Sequence, residues 1–279
     1  MILDRLAEAA AKRVEKAKDM LPLKNLKDRL YDGDRLIQFH GREDFAFERK
    51  LRKTSRTELS LDTNAGRKQT AFICEVKKAS PSKGVIAREF PYLDIAREYV
   101  EAGADAISVL TEPEYFQGAD RYLSEISKAV PVPVLRKDFI IEEYQIYESR
   151  LIGADAVLLI CSLLDTQTLH QLITLSDALG LSSLVEAHNE TEIISAMQAG
   201  ARIIGVNNRN LRTFEVDFTN SIRLRTLVPE EILFVAESGI HTAEDVNALR
   251  KAGVDAVLIG EALMRSSDKK ELLHQMRQG

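Results

Sequence analysis

Apolar positions along this chain follow two alternating rhythms. Short, nearly unbroken apolar runs such as Thr70-Ala71-Phe72-Ile73-Cys74 have the length and β-propensity of buried strands. Between them lie longer segments with apolar residues at helical spacing. Strand-like runs at 71–76, 132–136, 182–186 and 232–236 interleave with four segments that echo one another, 102–110, 152–160, 199–207 and 252–260. In each echo an apolar residue and a glycine precede an apolar run, as in Ala102-Gly103-Ala104-Asp105-Ala106-Ile107-Ser108-Val109-Leu110. Gly103, Gly153, Gly200 and Gly253 recur 50, 47 and 53 residues apart, each at the end of a helical segment, where a left-handed cap suits glycine. That period is too long for one strand–helix unit and fits two.

The helical segments fill the remaining slots, at 92–101, 120–129, 142–151, 165–179, 191–199, 218–227, 242–252 and 268–278. Eight strands alternating with eight helices predict an α/β fold, a single (β/α)8 barrel over residues 70–279. A doubly wound open sheet is the alternative, and it usually has fewer strands. Residues 1–69 fall outside the count and predict an N-terminal helical extension packed on the barrel, within one structural domain. Residues 2–20 place Leu3, Leu6, Ala10, Val14 and Ala17 on one helical face; Pro22 stops that helix, and shorter pieces follow at 26–30 and 45–51. Such an extension covers barrel surface and can also close over the barrel mouth.

Composition narrows the function classes. Hydrophobic residues make up 45% of the chain, charged residues 29%, and the net charge is −5. A mildly acidic chain is a poor candidate for non-specific contact with nucleic acid or an anionic membrane. No apolar run approaches the roughly 20 residues of a transmembrane helix, and the N-terminus lacks a signal-peptide core, so a cytoplasmic protein is expected. Cys74 and Cys161 sit in apolar runs and read as buried free thiols of a reducing compartment. No cluster has metal-ligand spacing, and no nucleotide-binding glycine motif is present.

Candidate chemistry lies at the strand ends, where barrels of this kind carry their sites. Strand 1 ends in Glu75-Val76-Lys77, strand 3 in Arg136-Lys137-Asp138-Phe139, and strand 5 in Glu186. Strand 6 ends in Asn207-Asn208-Arg209, strand 7 in Glu237-Ser238-Gly239, and strand 8 in Gly260-Glu261. Singly, each has a bland reading as a solvated loop residue or turn. Together, two lysines and three glutamates from four odd-numbered strands would meet at one end of one barrel, where they shift one another's pKa and can serve as acid–base pairs. Ser238-Gly239 and Gly260-Glu261 put small residues where backbone N–H groups can hold an anion such as phosphate.

The ordered set Glu75-x-Lys77-x-x-Ser80-Pro81-Ser82-x-Gly84, Leu135-Arg136-Lys137-Asp138-Phe139, Glu186, Ile204-Gly205-Val206-Asn207-x-Arg209-x-Leu211 and Ala236-Glu237-Ser238-Gly239-Ile240 resembles the indole-3-glycerol phosphate synthases of tryptophan biosynthesis. The likeness spans essentially the whole chain. It implies ring closure, decarboxylation and dehydration of 1-(2-carboxyphenylamino)-1-deoxyribulose 5-phosphate, with no cofactor and no metal. By resemblance Lys137 is the general acid and Glu186 takes or relays a proton. Lys77 serves the substrate carboxylate and the leaving hydroxyl, and which lysine acts in which step stays open. Glu75 and Glu237 orient the lysines, Asn207 bonds the intermediate, and Arg209 edges the site. The aromatic ring is placed against Phe116, Phe139, Leu158 and Leu211, with Pro81 nearby and Ser80 at the carboxylate, on a mobile loop at the mouth. Phosphate falls to the backbone of Gly239, Gly260 and Glu261, beside Ser238. Glu261 stands where some members carry Ser, and its side chain is expected to point away from the phosphate. The resemblance also implies a monomer with at most weak association with other enzymes of tryptophan synthesis. Rival readings are another phosphate-binding barrel enzyme, an isomerase or a Schiff-base aldolase, and a non-catalytic barrel that binds a phosphorylated ligand.

Overall fold

Eight parallel strands close on themselves in the order of the chain, β1 Ala71–Val76, β2 Ala106–Leu110, β3 Val134–Lys137, β4 Ala156–Ile160, β5 Ser182–Ala187, β6 Ile203–Asn207, β7 Leu233–Glu237 and β8 Ala256–Ile259. The last pairs with the first, Ala256 opposite Ala71 and Ile259 opposite Cys74. The coordinates are a computed structural model, and it describes residues 2–33, 35–37, 42–55, 69–210 and 213–278.

Side chains alternate across each strand, and the two faces are buried differently. Ala71, Ile73, Leu135, Ala156, Leu158, Leu184, Ile203, Val235, Ala256 and Leu258 form the barrel interior. Phe72, Cys74, Ile107, Val109, Val157, Leu159, Val185, Ile204, Phe234 and Val257 face the surrounding helices. Continuing the inward series in steps of two leads to Glu75, Lys137, Glu186 and Glu237, and past Gly205 to Asn207, so all five enter the same end of the barrel. Each glycine of the four echoes sits in the left-handed region, from φ +84° at Gly253 to +96° at Gly103, directly before its strand.

The helices bear out the pattern with small end corrections. The helix α1 covers Ile2–Met20, α2 Leu23–Asp28 and α3 Ala46–Ser55. Those following the strands are α4 Tyr92–Glu101, α5 Asp120–Ala129, α6 Glu143–Leu151, α7 Thr166–Ala178, α8 Glu190–Gln198, α9 Thr219–Arg225 and α10 Ala243–Lys251. After β8 come a short α11, Glu261–Arg265, and α12, Lys269–Gln278. Two shifts stand out: α2 begins directly after Pro22 rather than at Leu26, and α3 runs past Leu51. Proline at the N-cap has no N–H to leave unpaired, so it ends α1 and starts α2 in one step. The five-residue α11 is too short to show periodicity.

The N-terminal helices share the barrel's core, since Val14, Leu26 and Leu30 pack with the outer strand faces. Leu6, Ala10, Phe47 and Leu51 join the cluster that fills the barrel interior. The position of α1 is fixed by charge as well. Arg13 donates to both oxygens of the fully buried Asp138 at 2.7 and 3.1 Å, and Lys18 lies 2.8 Å from Glu142. No helix among the described residues is long and apolar enough to cross a membrane.

Candidate active site

The strand-end charges meet in one cavity at the C-terminal mouth of the barrel. It is lined by Glu75, Lys77, Ser80, Pro81, Phe116, Lys137, Phe139, Leu158, Glu186, Asn207, Arg209, Glu237, Ser238, Gly239, Gly260 and Glu261. Leu211 lies outside the described residues. Ile2, Leu3 and Leu6 of α1 line the same cavity, so the extension contributes apolar wall to it.

Lys137 is the hub. Its Nζ lies 3.3 Å from Glu186 Oε2 and 3.1 Å from Glu237 Oε2. Lys77 pairs with Glu75 two residues before it on the same strand face. Asn207 Nδ2 donates to Glu186 Oε1 at 3.3 Å, and Asn207 Oδ1 accepts from the backbone N–H of Arg209 at 3.0 Å. Glycine makes room for this ring. A Cβ on Gly205 would collide with Glu237 Oε1, and one on Gly260 would collide with Glu75 Oε1 and crowd Lys77 Nζ.

Burial is the strongest influence on every carboxylate here, and it pushes each upward. For Glu75 the nearby Lys77 and Lys137 outweigh it, and for Glu186 Lys137 and His188 do, so both carboxyls fall below their ordinary value. Glu237 is different. Burial and the charges of Glu186 and Glu75 prevail over Lys137, and its carboxyl is pushed up to about 7. Among the described residues neither Glu237 oxygen has a hydrogen bond of good geometry, although the ion-pair distance to Lys137 is short. Burial works against the Lys137 charge, but Glu237, Glu186 and Glu75 together raise its pKa. Lys137 is therefore firmly an ammonium, whereas an acid catalyst gains from a pKa drawn toward neutrality.

The cavity also has an apolar wall. The rings of Phe116 and Phe139 lie 6.0 Å apart at 40°. Phe116 is held by Glu112, which sequence reasoning passed over. The buried Glu112 carboxylate accepts from the backbone N–H groups of Glu114, Tyr115 and Phe116 at 2.7–3.0 Å and so shapes the loop after β2.

Ser80 and Pro81 belong to a small hairpin, in which Ala79–Ser80 pairs antiparallel with Gly84–Val85. Gly84 takes φ +65° at the turn. Across the mouth Ser238 and Gly239 both take left-handed backbone, φ +66° and +75°. Strain of this kind at a non-glycine residue needs outside support. Asn208 gives it, donating from Nδ2 to the Ser238 carbonyl at 3.0 Å while its own Oδ1 accepts from Ser221.

Glu261, the first residue of α11, lies 3.3 Å from Lys83, 3.7 Å from Arg209 and 3.2 Å from Arg265. The i,i+4 spacing of Glu261 and Arg265 was the available sequence signal for α11. Burial raises the Glu261 carboxyl, but Lys83 and Arg265 bring it below its ordinary value. Asp138, read from sequence only as part of a motif, turns out to tie α1 to β3. It accepts from Arg13, from Thr111 Oγ1 at 2.7 Å and from Arg136 at 3.3 Å. Cys74 and Cys161 are free, and Cys161 follows β4 instead of lying within it. Burial pushes the Cys161 thiol up to about 12. Among the described residues no group of His, Cys, Asp and Glu is arranged to hold a metal ion.

A family model described as indole-3-glycerol phosphate synthase matches residues 3–276. An indole-3-glycerol phosphate synthase of Ruminiclostridium cellulolyticum is 55% identical over 277 residues, 99% of both chains. Another from Endomicrobium trichonymphae is 51% identical, covering 99% of this chain and 100% of its own. Among solved structures, 3-hexulose-6-phosphate synthase superposes with TM-score 0.60 at 17% identity over 75% of this chain and 99% of its own. Tryptophan synthase subunit alpha from Legionella pneumophila gives 0.59 at 14%, over 85% and 98%. At such identities these two show the barrel fold alone.

Proposed function

The chain belongs to the indole-3-glycerol phosphate synthase family and carries its carboxy-lyase activity, and we propose that the charged ring around Lys137 performs the chemistry. The substrate is 1-(2-carboxyphenylamino)-1-deoxyribulose 5-phosphate. The products are indole-3-glycerol phosphate, carbon dioxide and water. The observation that carries this reading is Lys137 Nζ set between Glu186 and Glu237 at the floor of a half-apolar cavity.

Ring closure requires an acid at the ketone oxygen while an aromatic carbon attacks the ketone carbon. Lys137 is that acid. Its ammonium gives a proton to an oxygen that becomes far more basic as the bond forms. Carbon dioxide then leaves, which restores the ring's electrons, and Lys77 balances the carboxylate until that moment. Loss of the hydroxyl as water needs one proton delivered and one removed. Glu186 removes the proton, and a lysine of the pair supplies the other. Asn207 steers Glu186 and bonds the intermediate, while Glu75 and Glu237 hold the two ammonium groups in place. The aromatic ring rests on Phe116, Phe139 and Leu158. Pro81 lies at its edge and Ser80 meets the carboxylate.

The phosphate takes backbone N–H groups of Gly239, Gly260 and Glu261, with Ser238 alongside. Pairing of the Glu261 carboxylate with Lys83, Arg209 and Arg265 supports this, because the anion would otherwise meet an uncompensated charge. A Schiff-base mechanism fits poorly, since it needs a neutral amine and Lys137 is held as an ammonium. We also take the protein to be a cytoplasmic monomer whose helical extension, residues 1–69, works as part of one unit with the barrel.

Three measurements test the reading together. Purified protein given the carboxyphenylamino-deoxyribulose phosphate should develop indole fluorescence and release one carbon dioxide per turnover. Borohydride added during turnover should leave the chain's mass unchanged. No fluorescence from folded protein, or a covalent adduct on Lys137, would overturn it.

A further inference from the structure

We propose that His188 is a positioning residue, whose imidazolium bridges Glu186 to Glu192 and keeps Glu186 oriented and ionised. The inference rests on the reading of Glu186 as the group that removes a proton. His188 comes two residues after Glu186, which returns it to the same side of the chain as β5 ends. It stands behind Glu186 and does not line the cavity.

The far side of the bridge is anchored. Glu192 is the third residue of α8, whose N-cap Asn189 accepts from the Glu192 backbone N–H. The Glu192 carboxylate accepts from the His188 backbone N–H at 2.8 Å, Asn189 Nδ2 at 3.0 Å and Ser162 Oγ at 3.0 Å. The first turn of a helix also favours a negative charge. Glu192 is thus a fixed anion, and His188 Nδ1 lies 3.1 Å from its Oε2. With Nδ1 donating there, Nε2 faces Glu186 Oε1 at 3.5 Å. That nitrogen is out of contact with solvent and, among the described residues, makes no hydrogen bond, so its link to Glu186 is an ion-pair contact. A neutral ring would turn a lone pair toward a carboxylate; the imidazolium sets a positive charge beside both.

The groups around the ring agree. Cys161 and Ser162 follow β4, Ser162 Oγ being 3.4 Å from Nδ1. Glu237 of β7 adds a more distant negative charge, and Asn220 of α9 donates to the His188 carbonyl at 3.1 Å. On Glu186 itself Lys137 and Asn207 hold the other contacts. Burial is the largest influence on His188 and disfavours its charge, yet Glu192 and Glu186 prevail and its pKa is raised. In the reaction Glu186 goes from carboxylate to carboxylic acid on taking the substrate proton, and His188 keeps its own.

The test is the pH profile of kcat/KM for wild type, His188→Gln and Glu192→Gln, with nitrogen NMR of the wild-type histidines. Removing a cation this close should raise the Glu186 limb by about one pH unit, so the profiles coincide in mild alkali and separate by up to about tenfold in acid. Glu192→Gln should shift it the same way by less, with KM near its wild-type value. In the wild type the His188 ring should be doubly protonated at about neutral pH. Variants that lose only thermal stability while the limb stays in place, or a neutral wild-type ring, would overturn the proposal. Full activity in Glu186→Gln would instead remove the reading of Glu186 as base, and the NMR arm would still report on the bridge.

Discussion

Glu75, Glu186 and Glu237 are buried together beside Lys77 and Lys137, and of the three it is Glu237 whose carboxyl is raised and not lowered. Its carboxyl is raised from the ordinary 4.5 to about 7, with burial as the main cause. The folded chain therefore holds this proton more tightly than the unfolded chain. That contribution to stability is complete below about pH 4.5 and is lost as pH rises through about 7. Glu237→Gln removes the titration. Its unfolding free energy in urea should improve relative to wild type between about pH 5 and about pH 8. A gap that does not change with pH would contradict the assignment of the raised carboxyl. The five charged residues were legible in the sequence because each breaks an apolar run at a strand's end. His188, Glu112 and Asp138 were not, because their significance depends on which groups meet them. Arg13 and Asp138 are 125 positions apart.

At the scale of elements, α1 is held to the end of β3 by charge. Burial is the largest influence on Asp138 and opposes its ionisation, yet Arg136 and Arg13 bring its carboxyl down to about 2. The sign is the reverse of Glu237. The stability Asp138 supplies is present above the unfolded value of 3.8 and is lost as pH falls through about 2. Asp138→Asn should cost about 2 kcal/mol at neutral pH and flatten the acid end of the stability curve. It should also raise KM, since Ile2, Leu3 and Leu6 on α1 form cavity wall. Urea unfolding at two pH values, with KM alongside, checks both; unchanged acid sensitivity would contradict the first. Long helices with strong periodicity were read well, 92–101 and 120–129 to the residue. The short α11 and the hairpin at 79–85 were not, because two to five residues carry no period.

For the molecule as a whole, barrel closure was legible because the chain repeats its own turn. Gly103, Gly153, Gly200 and Gly253 mark alternate strands, and counting between them gives the eight that the structure closes. Closure turns that count into chemistry. Inward positions of β1, β3, β5 and β7 advance by two residues to the mouth, and groups more than 150 residues apart in sequence, such as Glu75 and Glu237, come to act on one ammonium, that of Lys137. The sequence shows that such groups converge. It does not show which carboxylate keeps its proton, because that depends on distances and burial only the folded barrel sets. The central claim is that Lys137 is the proton donor of ring closure. The most direct measurement is single-turnover indole formation by Lys137→Met, with product affinity measured on the same sample. The rate should fall by about 10²–10⁴ with affinity nearly unchanged. A variant that keeps its rate, or loses rate only as far as it loses affinity, would contradict the claim.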